Sequence, residues 1–180
     1  MVLKSLFKKK ISEEKLSNVL LNALIDTMEN GFGEVAQLIN NSPDFVTSPS
    51  IREDQYDQFL FILFVGNLEM MNDALETYEA DALEDLLIEK FSLTYQLTTN
   101  QTKGYIKEYK DFMRRVNYPS KNTLYAMSKS VFYKYNLSQF QEDYFKDMNV
   151  PNPVFLKKLN ELVSNFLWDW DYFLDKYKMD

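Results

Sequence analysis

"FLFILFVGN", residues 59–67, is apolar on every side of a helix over its first seven positions and then reaches Gly66 and Asn67. A helix that is apolar all round is one surrounded by other helices. The run therefore predicts a central helix in an all-α protein. Tyr56, Phe59, Leu63, Met70 and Ala74 share one face of it. Gly66 reads as a point of close helix approach, and Asn67 as a buried amide satisfied inside the protein. The functional alternative is a notch that orients a small molecule.

Projected forward at helical spacing, Leu83, Leu87 and Phe91 fall on roughly the opposite side of that helix. A break near Glu79 follows, with Asp81 and Glu84 as the next cap pair. Farther out, prolines cluster at Pro43 and Pro49, at Pro119, and at Pro151 and Pro153. Between these stops apolar residues recur at three and four, which is helical spacing. Ser50 with Glu53 and Ser138 with Gln141 fit the capping box. Asn152 before Pro153 places an N-cap ahead of a proline at the first helical position. Gly31 and Gly33 are expected to end a first helix spanning residues 12–30. The stretch "FSLTYQLT", 91–98, alternates as a strand would, but no partner strand is evident, so it reads as the second half of a helix.

The last helix has the longest pattern. Leu156, Leu159, Val163, Phe166, Trp170, Phe173 and Tyr177 follow one another at steps of three and four. That seam predicts one helix from Pro153 to Tyr177, roughly 37 Å long, with Trp170 in the core. Trp168 and Tyr172 fall together on its back face, with Asp169, Asp171 and Asp175 between them and the seam. An exposed Trp–Tyr pair rimmed by acids has the composition of an interface hot spot, and burial on both sides is the structural alternative. The expected architecture is a single helical domain over residues 1–180, of about seven or eight helices, with a long C-terminal helix and no convincing sheet. Residues 1–10 form a basic N-terminal segment.

Composition limits the chemistry. The 180 residues include no histidine and no cysteine. That excludes the common zinc sites, Ser-His triads and cysteine nucleophiles, and any enzyme here would run on carboxylates, Tyr, Lys, Ser or Thr. No catalytic residue, cofactor site or metal site is expected. "ETYEADALEDLLIEK" is rich in acids but lacks the spacing and the turn glycine of a calcium loop. The longest apolar run is far short of the ~20 residues that span a bilayer. With no signal-peptide pattern, and with Val2 where myristoylation requires glycine, the expected location is cytoplasmic.

Charge is sorted along the chain. Net charge is −7. Residues 11–100 hold three bases against seventeen acids, whereas residues 101–134 hold eight bases against two acids. Lys103, Lys107, Lys110 and Arg114 form one stripe beside the apolar face of Tyr105, Tyr109, Phe112, Met113 and Val116. Such a stripe would suit phosphates or single-stranded bases, but no nucleic-acid motif accompanies it, and pairing with the acidic helices is the simpler expectation. Val2, Leu3, Leu6 and Phe7 with the nearby lysines make a short amphipathic end whose membrane contact would be weak. The sequence thus points to a non-catalytic module that binds a protein, or itself, through Trp168 and Tyr172. A nucleic-acid or phospho-ligand binder using the Lys103–Arg114 stripe is the alternative.

Overall fold

The computed structural model describes residues 8–179; the amphipathic end expected at Val2–Phe7 lies outside them. The chain is an all-α bundle. Its elements in order are β1 (Lys9–Ile11), α1 (Glu13–Asn40), α2 (Asp57–Ala74), α3 (Thr77–Thr94), α4 (Thr99–Asn117) and α5 (Thr123–Lys134). A 3-10 turn (Leu137–Phe140) follows, then α6 (Asp143–Met148), α7 (Pro153–Ser164), α8 (Trp170–Lys176) and β2 (Tyr177–Met179).

Helix α2 is central, as its all-round apolar sequence predicts. It touches α1, α3, α4, α5 and α8, and Phe59, Leu60, Ile62–Gly66, Leu68 and Met71 are buried. Gly66 marks a close approach: a Cβ there would overlap Met127 on α5, lying 2.6 Å from its Cε. Asn67 is satisfied internally. Its amide donates to Leu63 O at 2.9 Å and Phe166 O at 3.2 Å, and its Oδ1 accepts from Trp168 N at 2.9 Å.

Helix α1 does not stop at its glycines. It runs to Asn40, because Met28, Phe32, Val35, Ala36 and Ile39 continue the buried stripe past them. Burial of that stripe outweighs the ~1 kcal/mol that each helical glycine costs. Gly31 has a packing role, since a Cβ there would lie 2.6 Å from Phe166 Cε1.

Helix boundaries differ from the sequence expectation wherever a distant side chain intervenes. Ser50 and Glu53 cap nothing: Ser50 has φ 56°, and the Asn40 side chain holds both backbone groups of Ile51, at 2.7 and 2.8 Å. Helix α2 starts only at Asp57. Ser138 and Gln141 also form no capping box; buried Gln141 donates to Val150 O at 2.8 Å and accepts from Asn152 N at 2.6 Å. The break expected near Glu79 falls at Leu75 and Glu76, where Leu75 turns extended and buries its side chain. Residues 91–94 are helical, with the Ser92 and Thr94 hydroxyls donating to carbonyls four residues back. Asn152 caps α7 as expected, accepting from Val154 N at 2.8 Å.

The long C-terminal helix is not formed. The chain leaves helix after Ser164 and re-enters it at Trp170. Asn67 claims the backbone of Phe166 and Trp168 between them, and Asp169 caps the new helix by accepting from Tyr172 N at 2.8 Å. The seam is nevertheless buried from Leu156 to Phe173. A two-stranded parallel sheet, with Lys9 opposite Tyr177 and Ile11 opposite Met179, ties the first described residues to the last. The Lys8 ammonium adds a hydrogen bond to Leu174 O.

Candidate functional site: an aromatic groove beside α8

The bend after α7 decides where Trp168 and Tyr172 lie. Trp168 sits in the connecting segment, not on a helix, and is half-buried. Its ring centre is 6.4 Å from that of Trp170 and 6.2 Å from that of Phe173. Tyr172 stands on α8 and is 64% exposed. The two are therefore not the exposed back-face pair that one continuous helix would create, yet both line a single groove of about 670 Å³.

The groove runs between the start of α1 and α8. Leu16 and Val19 supply one apolar side, Phe173 and Tyr177 the other, and Val19 is 41% exposed. Phe173 and Tyr177 stack with ring centres 5.3 Å apart. Lys9, Lys10 and Lys15 line it beside Asp169. Among the described residues neither Lys9 nor Lys15 has an ion-pair partner. Beside the groove lies a smaller apolar pocket of about 80 Å³, lined by Leu20, Leu24, Phe64, Leu68 and Trp170. Leu167 and Trp168 line both spaces, so they form the partition. The indole N–H groups of Trp168 and Trp170 are buried and have no hydrogen-bond acceptor among the described residues. Chemically, the groove presents an aromatic floor for an apolar side chain and ammonium groups for an anion next to it.

The basic stripe lies elsewhere and shares no lining residue with this groove. Helix α4 packs on α3. Lys103 pairs with Asp85 at 3.2 Å, and Lys110 with Glu69 and Glu84 at 3.2 and 3.6 Å. Arg114 approaches Asp111 at 3.6 Å, and Lys107 has no ion-pair partner among the described residues. Three of the four cations thus already face carboxylates. Among the described residues no group of three or more Asp or Glu is arranged to hold a metal, and no helix is long and apolar enough to cross a membrane.

The sequence pattern did not indicate Val19 and Lys15 as neighbours of Tyr172. They come from the opposite end of the chain, brought there by the packing of α1 on α2, α3 and α7 and by the pairing of β1 with β2. The chain is a helical bundle with an aromatic, lysine-edged groove. The chain matches no protein-family model, and no curated protein or solved structure is similar to it.

Proposed function

We propose that this chain is a non-catalytic protein-interaction module whose groove beside α8 takes a segment of a partner protein. The observation that carries the reading is Tyr172, a large aromatic left 64% exposed on the wall of an apolar groove edged by lysines. Trp and Tyr in such pockets are the residues that dominate interface energetics. The lysines set the partner's chemistry: a bulky apolar anchor with a carboxylate beside it, reaching Lys9 or Lys15. The lack of histidine and cysteine supports a binding role over a catalytic one.

The test is affinity capture from the native cell, with and without nuclease. Tyr172→Ser and a Lys9→Glu, Lys15→Glu double variant are compared with Tyr144→Ser, a control at another exposed tyrosine. The expected result is a protein retained after nuclease, lost in the two groove variants and kept in the control. Retention that ignores the groove variants, or that disappears with nuclease, overturns the proposal.

A further inference from the structure

A second aromatic groove, of about 450 Å³, opens where the start of α2 meets α4. Its walls are Tyr56, Phe61, Tyr95 and Tyr105, and the exposed carboxylates of Asp57 and Glu108 lie in its lining. The rings are packed together, Phe61 and Tyr95 being linked beneath the groove by the buried ring of Phe91. Phe61 is 5.0 Å from Tyr105 and 5.3 Å from Tyr109, and it meets Phe91, which packs 4.6 Å from Tyr95. Phe61 and Tyr95 are only half-buried, so their rings stay partly open to solvent.

The groove already seats one cation belonging to the chain itself. Lys134 Nζ lies 4.3 Å from the Tyr109 ring centre and 4.8 Å from that of Phe112, and 3.4 Å from a Glu108 oxygen. Ring quadrupoles and a carboxylate together hold an ammonium that is largely removed from water. That arrangement occupies Tyr109 and Glu108. Among the described residues no cation lies over Tyr105 or over the part of Phe61 left open by its ring neighbours, and Asp57 has no ion-pair partner. Burial and nearby carboxylates both act on the phenols here. Burial, then Glu29 and the Tyr56 hydroxyl, push the Tyr95 phenol up to about 12; burial, then Glu108, Asp57 and Tyr105, do the same for Tyr109.

We propose that this groove binds an arginine side chain from a basic segment of a partner protein, its guanidinium lying on the Phe61 and Tyr105 rings and donating to the Asp57 carboxylate. Arginine fits better than lysine or a quaternary ammonium, because a planar guanidinium stacks on rings and forks onto a carboxylate at once. Charge in the lining points the same way: the carboxylates of Asp57 and Glu108 stand against the single ammonium of Lys134, which Glu108 already pairs, so Asp57 is left to attract a cation. This site shares no residue with the groove beside α8 and stands or falls independently of it.

The experiment is an NMR titration of the isotope-labelled chain with N-acetyl-arginine amide, with its neutral isostere N-acetyl-citrulline amide, and with a short basic peptide centred on arginine. The arginine probe should shift the backbone amides of Tyr56, Phe61 and Tyr105 saturably, citrulline should not, and the peptide should bind more tightly than the amide. Tyr105→Leu and Asp57→Asn should each weaken binding about fivefold while keeping the dispersed amide spectrum of the folded chain. The proposal is overturned if citrulline shifts the same amides equally, if the arginine probe leaves them unmoved, or if both variants bind as the parent does. A peptide that binds no better than the free amide overturns the assignment to a protein segment.

Discussion

Gly66 and Gly104 are both helical glycines, and a methyl group added at each should move stability in opposite directions. Alanine is the better helix former by ~1 kcal/mol. At Gly104 on α4 an added Cβ meets nothing within 4 Å, so Gly104→Ala should stabilise the chain by up to that amount. At Gly66 the same Cβ falls 2.6 Å from the Cε of Met127, which is fully buried against α2. Overpacking a core of this kind costs roughly 1–3 kcal/mol. That outweighs the helix gain, and Gly66→Ala should lower the urea midpoint. Two raised midpoints would show that propensity, not packing, governs both sites.

At the scale of the element, the bend between α7 and α8 depends on one amide. Asn67 gives α2 a hydrogen bond to its own turn and spends its remaining capacity on Phe166 O and Trp168 N. Removing it leaves those two backbone groups unpaired, at about 1–3 kcal/mol each. Asn67→Ala should therefore destabilise the protein and shift tryptophan emission to the red, as the segment holding Trp168 loosens. Unchanged stability and emission would mean that Asp169 alone sets the bend. The sequence made Asn67 legible as a satisfied buried amide, because an amide after an all-apolar run has few other uses. It did not make the bend legible, because the seam from Leu156 to Phe173 is buried whether or not the helix is continuous. The same distinction separates the caps. Asn152 acts on its own helix and could be read locally, whereas Ser50 and Ser138 were overruled by Asn40 and Gln141, which stitch loops from farther away.

For the whole molecule, what the sequence concealed is what distant segments share. Three-residue strands carry no periodicity, so the pairing of Lys9–Ile11 with Tyr177–Met179 was not readable. Nor was the gathering of tyrosines from α2, the end of α3, α4 and the α5 terminus. That gathering makes the fold sensitive to alkali. Burial raises the phenols of Tyr95 and Tyr109 to about 12 and also lifts those of Tyr133 and Tyr135. In the unfolded chain each would ionise near its ordinary value of about 10. A raised folded pKa contributes stability that is complete below the unfolded value and is lost as pH rises through the folded one. The urea midpoint should therefore fall steadily from about pH 10 to about 12, while phenolate absorbance of the folded protein accounts for only some of the twelve tyrosines. The contrast is drawn with Tyr109→Phe. That change removes one shifted phenol and its hydrogen bond to Gln58. It should lower stability at neutral pH and make the alkaline slope shallower. An unchanged slope in Tyr109→Phe, with all twelve phenols titrating together in the folded chain, would mean that the tyrosine surface is open to water throughout.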